Sequence, residues 1–266
     1  YLPTSVWANG QAYKGTKKRE SLLGNMMLTY KKNWKKHFFD VLALAELQKE
    51  TYTGYYTTVS NFSTDKFGYN NLQAGALRLW EGTNSYYEQP RLASFMGRFN
   101  YTYADRYVLT LNARTDASSK FGANHKWGFF PSASAAWVIS EEEFMKQFPV
   151  IDNLKFRIGY GLAGNQSGID SYTTLNLVKP NGVVPVGNSA IVSLGDIRNT
   201  NPDLKWEVKH TFNTGIDVAL FGNRLLLSAN YYNSRTTDML YLYNVSVPPF
   251  TYNTLLANIG SMRNWG

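Results

Sequence analysis

The chain has 266 residues, enough for one or two domains, with 27 Lys+Arg against 19 Asp+Glu and a net charge of +8. Only 17% of residues are charged while 15% are aromatic, so the chain is not disordered and its thin basic surplus does not suggest a nucleic-acid binder. The absence of cysteine excludes a disulfide scaffold and any Cys-ligated zinc or iron–sulfur site.

In chain order, Tyr1 is followed by no basic n-region and no small-residue cleavage site, and the chain reads as an internal piece of a larger protein. Weak period-2 alternation marks strands over 21–30 and 38–50, joined by a short link at Asn33–Lys36. The basic run Lys31-Lys32-Asn33-Trp34-Lys35-Lys36-His37 is a small footprint for nucleic acid and reads instead as a solvated turn at lipid headgroups, with Trp34 at the interface. A long connection is expected at 51–68, a weak strand at 69–80 and another long connection at 81–90. Then Phe95, Gly97, Phe99, Tyr101 and Tyr103 oppose Met96, Arg98, Asn100 and Thr102, and beyond Ala104-Asp105-Arg106, Tyr107, Leu109, Leu111 and Ala113 oppose Thr110, Asn112 and Arg114. A long link at 116–128 leads to a strand at 129–139. The Ser-x-x-Glu form of Ser140-Glu141-Glu142-Glu143 predicts a helical turn or two in the short link 140–153. From Leu154, residues Leu154, Phe156, Ile158, Tyr160 and Leu162 oppose Lys155, Arg157, Gly159, Gly161 and Ala163. A long connection over 164–204 precedes Phe212, Thr214, Ile216, Val218 and Leu220, which oppose Thr211, Asn213, Gly215 and Asp217. Gly222-Asn223, a strand at 224–236, a long link at 239–255 and a truncated strand at Asn258–Met262 complete the chain. The charge-free run from Met239 to Met262 contains Pro248-Pro249, several Asn and a Gly and is no membrane-spanning helix.

This is an all-β pattern of nine to ten strands with short and long connections in turn, the signature of an antiparallel up-and-down transmembrane β-barrel. A soluble sandwich gives the same alternation. Loops of about 20–40 residues are unusual in compact soluble domains, however, and mid-strand Arg and Lys suit a wet lumen. Tyr and Trp near strand ends supply the aromatic girdles. The alternation nominates Arg98, Asn100, Asn112, Arg114, Lys155, Arg157, Asn213, Asp217 and Asn230 as lumen-lining residues, for most of which simple solvation or holding a plug is the bland alternative.

Motifs for chemistry are weak. Gly159-Tyr160-Gly161-Leu162-Ala163-Gly164 fits a dinucleotide fingerprint, but loop-forming residues follow it where a helix is required. The three histidines, His37, His125 and His210, have neither a Gly-x-Ser-x-Gly elbow nor metal-ligand helical spacing, so no catalytic residue, metal or cofactor is assigned. Sequons such as Asn61-Phe62-Ser63 and Asn165-Gln166-Ser167 mean little if the source is bacterial. The long loops, rich in Asn, Gly, Thr, Ser and Tyr, suit polar ligands.

Several stretches resemble the SusC/RagA family of TonB-dependent outer-membrane transporters: Asn100–Tyr107, Arg114–Gly122, Phe130–Ser134 with Trp137–Ser140, Tyr160–Asn165, Asn201-Pro202-Asp203-Leu204-Lys205-Trp206-Glu207, Tyr231-Tyr232 with Thr237-Asp238, and Asn258-Ile259-Gly260. The resemblance is strong from about residue 92 onward. It departs at Ala117, where the family usually has Gly, so a turn needing positive φ there would be strained. The resemblance implies a barrel of about 22 strands around a plug, of which residues 1–266 supply part of the wall; plug, TonB box and signal peptide lie elsewhere in the parent chain. It also implies a SusD-like surface lipoprotein, coupling to the TonB complex, and import of oligosaccharides or, in some members, peptides. The alternatives are a passive porin or adhesin barrel, or an outer-membrane hydrolase using His125.

Overall fold

The computed structural model describes residues 9–79 and 82–266. Its strands are β1 (Gln11–Trp34), β2 (His37–Phe62), β3 (Gly75–Leu77), β4 (Thr83–Glu88), β5 (Arg91–Tyr103), β6 (Tyr107–Ser118), β7 (Trp127–Val138), β8 (Ile151–Asn165), β9 (Val178–Val186), β10 (Ser189–Asp196), β11 (Glu207–Leu220), β12 (Leu225–Thr237), β13 (Leu240–Asn244), β14 (Thr254–Asn258) and β15 (Ser261–Trp265). One path, β1-β2-β5-β6-β7-β8-β11-β12-β15, makes the sheet, with β3 and β4 pairing onto β2; β9–β10 and β13–β14 are separate hairpins. No helix among the described residues is long and apolar enough to cross a membrane. The chain divides into two compact units, one holding Gln48–Arg91 with the chain ahead of Gly24, the other Gly24–Leu47 with Leu92–Gly266.

In the second unit β5, β6, β7, β8, β11 and β12 pair antiparallel in sequence order. Sharp turns close the short connections. Ala104 and Asp105 both take positive φ (50 and 56), as a type I′ turn requires of its two central residues, and Arg106 N–H closes onto the Tyr103 carbonyl at 3.0 Å. Phe221, Gly222 and Asn223 also take positive φ (59, 68 and 61) in the connection between β11 and β12. The rule of alternating lengths bends once: the 119–126 connection is shorter than 139–150 because β6 and β7 run further than their alternation indicates.

Four expectations change. Residues 51–62 continue β2 rather than forming a loop, because β3 and β4 pair with them (Phe62↔Gly75, Tyr52↔Glu88). Residues 69–79 hold two 3-10 turns and the short β3 instead of a wall strand; Leu72 and Ala74 pack on the buried Val59 and Phe62, and that local burial outweighs the weak alternation. Residues 1–8 and 80–81, where the chain start, the last residue of the expected 69–80 strand and the first of the 81–90 link fall, lie outside the described residues. The truncated strand is β15, displaced from Asn258–Met262 because Asn258 ends the β13–β14 hairpin. Ala117 is unstrained: it lies in β6, opposite Ala93 and Trp127, and is not among the positive-φ residues.

The 139–150 link does hold helical turns, Ile139–Glu141 and Glu143–Gln147, both 3-10. The capping box does not form, since Glu142 is extended (φ −78, ψ 146) and interrupts the helix after one turn. Glu142 instead accepts Tyr107 Oη (2.6 Å), Arg106 Nη1 (3.0 Å) and Trp137 Nε1 (3.1 Å). The Tyr107 and Trp137 hydrogen bonds, and then the Arg106 charge, hold its carboxyl below the ordinary 4.5. A lowered folded value means that the contribution to stability is complete above pH 4.5 and is lost as pH falls through the folded value. Trp137 fluorescence is therefore expected to titrate on acidification below pH 4.5 in the native protein and to be flat there in Glu142→Gln; the same titration in both proteins would refute the assignment.

Candidate functional site: the polar face of the strand wall

Register decides which side chains share a face. Arg98 pairs with Asn112, Asn112 with Ser132, Ser132 with Gly161 and Gly161 with Thr211. Asn100 pairs with Thr110, Arg114 with Phe130, Gly159 with Asn213, Arg157 with Gly215, Lys155 with Asp217, and Gly215 with Asn230. All nine nominated residues thus project from one face across six strands. The opposite face carries Leu109, Leu111, Phe156, Ile158, Ile216 and Leu227, all exposed although apolar. Soluble proteins rarely leave such a continuous apolar surface open.

At the ends of β5, β6 and β7 nearest the Ala104-Asp105 turn, the apolar face becomes aromatic. Ring centroids run from Trp34 to His37 (5.8 Å), His37 to Tyr103 (5.0 Å), Tyr103 to Tyr107 (6.4 Å) and Tyr107 to Trp137 (6.4 Å). Cross-strand aromatic pairs at strand ends stabilise the sheet and suit a membrane–water boundary. His37 Nδ1 also meets Tyr101 Oη at 2.8 Å.

On the polar face two clusters form. Arg157 binds Asp217 with both arms (Nε–Oδ2 2.7 Å, Nη2–Oδ1 2.9 Å) and reaches Asn230 Oδ1 at 2.9 Å. Ser228 Oγ donates to Asp217 at 2.8 Å. This fork spans β8, β11 and β12 over Gly215. A Cβ there would lie 2.4 Å from Asn230 Oδ1 and 3.2 Å from Arg157 Nη2, so only glycine leaves the passage open. In the second cluster Arg114 Nε binds Asp116 (2.9 Å) and Nη2 donates to Ser94 Oγ (3.1 Å), with Asn112 to Ser132 Oγ (3.1 Å) alongside. The buried Nε of Arg98 and Oδ1 of Asp40 have no hydrogen-bond partner among the described residues. A depression of about 660 Å³ lies over Thr110, Ser134, Arg157, Asn213 and Asn230. Gly215→Val is expected to break the Arg157–Asn230 bond while the wall still forms; a cross-strand NMR coupling between the two side chains, present in the native protein and absent in the variant, checks it.

At this end of the sheet Phe121, Ile169, Leu204 and Trp206 of the connections share a core with Phe130 of β7, with Leu240 and Leu256 of the β13–β14 hairpin against it. Trp206 lies 4.9 Å from Phe121 and edge-on to Phe130 at 5.6 Å, and donates Nε1–H to the Lys126 carbonyl (3.0 Å). Gly122 meets the Pro202 carbonyl so closely that a Cβ would fall 2.0 Å from it. Asparagine side chains replace missing sheet bonds: Asn199 donates to the carbonyls of Tyr252 and Thr254 (2.6 and 2.9 Å), and Asn258 to those of Lys205 and Asp238 (both 2.8 Å).

A family model described as TonB dependent receptor-like, beta-barrel, matches residues 4–266. The chain belongs to this receptor family. The segment is 36% identical over 273 residues, 100% of its length and 26% of the relative, to TonB-dependent receptor P3 of Formosa agariphila. It is 34% identical over 185 residues, 68% of its length and 18% of the relative, to TonB-dependent receptor SusC of Bacteroides thetaiotaomicron. A structure of the RagAB peptide transporter superposes on it with a TM-score of 0.76 at 25% identity, over 96% of this chain and 27% of that one. The chain therefore spans about a quarter of the length of the first of these relatives and of that structure. TonB-dependent receptors are outer-membrane β-barrels of Gram-negative bacteria, and the strands here are a stretch of such a wall.

In this receptor segment the motifs quoted from the sequence converge in space. Phe121 and Gly122 of one, Phe130 of the next and Pro202, Leu204 and Trp206 of another build the loop core. The Gly159–Gly164 fingerprint lies wholly in β8, with Gly159 and Gly161 against Ser134 and Ser132 of β7. His210 Nδ1 meets Tyr160 Oη at 3.0 Å and His125 stands 4.0 Å from Asp203. Among the described residues no three His, Cys, Asp or Glu gather as metal ligands. Sequence reasoning missed the partners Ser94, Asp116, Ser132 and Ser228. The Arg114-x-Asp116 spacing, which puts both on one face of a strand, was the available signal.

Proposed function

We propose that the chain is a stretch of the barrel wall of a TonB-dependent importer, with the polar face lining the lumen and the apolar face in lipid. Oligosaccharide is the cargo, a SusD-like lipoprotein is the partner, and the TonB complex acts on the rest of the parent receptor. The observation that carries the reading is the register: Arg98, Asn100, Asn112, Arg114, Lys155, Arg157, Asn213, Asp217 and Asn230 all fall on one face, against exposed apolar side chains on the other. Hydroxyl, amide and guanidinium groups suit sugar hydroxyls, and no enzymatic step is assigned to them.

A second reading, peptide cargo, is favoured by the likeness to the RagAB peptide transporter. Deleting the receptor gene and growing the strain on single glycans or on peptides as sole carbon source separates the two. Loss of growth on one glycan class alone is expected. Loss on peptides alone favours the second reading, and uptake that survives disruption of TonB restores the passive porin.

A further inference from the structure

The first unit carries a run of tyrosines that the wall does not require. Pairing of β2 with β4 sets Tyr52 opposite Glu88, Gly54 opposite Tyr86 and Tyr56 opposite Asn84, so Tyr52, Gly54, Tyr56 and Tyr86 share one face. The Tyr13 ring joins Tyr56 at 5.6 Å, inclined by 32°. Tyr86 lies down over Gly54, where a Cβ would come within 2.6 Å of its hydroxyl and 2.7 Å of the Thr16 carbonyl. The Tyr86 ring therefore lies along the sheet and offers its outer face.

Past Tyr13 the chain forms a cleft of about 500 Å³ lined by Gln11, Tyr13, Thr64, Asp65 and Tyr69. Tyr69 is 63% exposed at the mouth of this cleft. Among the nearby charges Arg19 pairs with Glu50 at 2.6 Å and Lys18 with Glu20 at 2.6 Å, and the Arg19 guanidinium lies over the Tyr52 ring at 5.5 Å. β1 and β2 contain 24 and 26 residues, whereas about 9–11 cross a bilayer, so a large part of each lies outside the hydrocarbon.

We propose that this face is a glycan-holding track for neutral pyranose chains, with one sugar unit in the Tyr13–Tyr69 cleft. A pyranose presents an apolar C–H face that stacks on a ring, and equatorial hydroxyls that reach an amide, a hydroxyl and a carboxylate; Gln11, Thr64 and Asp65 supply these in the cleft. With Glu88 opposite Tyr52 and Asp65 in the cleft, the face favours a neutral ligand over an anionic one. The proposal rests on the glycan reading above and adds a site apart from the polar face of β5–β12.

The test is calorimetric titration of the purified full-length receptor with a panel of neutral hexasaccharides of glucose, galactose, mannose and xylose. The double variant Tyr13→Ala/Tyr69→Ala is expected to weaken binding of the recognised hexasaccharide by about tenfold or more. Tyr13→Phe/Tyr69→Phe, which keeps the rings, is expected to stay within about threefold of the native protein. Asp65→Asn should fall between them. Native affinity in the double alanine variant overturns the track, as does failure of every hexasaccharide to bind a receptor that still imports glycan in cells. Binding that depends on the tyrosines in a receptor that imports no glycan supports the track and overturns only the import reading.

Discussion

Arginine in place of Ile158 is expected to destabilise the receptor by about 2–4 kcal/mol, the cost of a charge on the lipid face near the bilayer midplane. Ile158 lies midway along β8, opposite Ala135 and Thr214, a residue 41% exposed on the apolar face. Asn213, in register with the neighbouring Gly159, projects from the other side of the same wall. Asn213→Arg adds the same charge and is expected to cost under about 1 kcal/mol, because a wet lumen solvates it. Urea titration of the full-length receptor folded into phospholipid vesicles measures both. Equal costs would mean that the two faces meet the same medium, and the barrel reading would fall.

The second large effect lies in the loop core. Trp206→Ala removes a nearly buried indole from between Phe121 and Phe130 and leaves the Lys126 carbonyl without its donor. Truncating a buried aromatic costs about 3–5 kcal/mol, but here the loss falls on connections that the wall's own ladder does not need. Amides in 119–126 and 166–206 are expected to exchange faster by orders of magnitude while those of β5–β8 keep their protection. Uniform loss of protection would show that the loop core and the wall are one cooperative unit.

The strands that were legible in the sequence, β5, β6, β8 and β11, each hold a two-sided alternation long enough to fix both the element and its faces. The stretch Thr51–Phe62 was not, because Thr and Tyr fall on both faces and its strand state comes from β3 and β4 pairing with it. The β9–β10 hairpin was hidden by Pro180 and Pro185, which read as loop but are tolerated where a strand has a free edge. The same logic divides the site. Period 2 places Arg157, Asp217 and Asn230 each on the polar side of its own strand, yet which of them meet depends on register between strands, and one sequence does not state it. The bonds from Asn199 to Tyr252 and from Asn258 to Lys205 join residues 53 positions apart and leave no local pattern to read.

The gap at Gly215 has an evolutionary consequence. Arg157 reaches Asn230 only by passing over a residue without a Cβ, so three positions on three strands form one inherited unit. A relative that acquires a side chain at the position of Gly215 cannot keep both ends of the fork. Positions 157, 215 and 230 are therefore expected to change together down a lineage, while their neighbours on the apolar face drift independently within the limits of hydrophobicity.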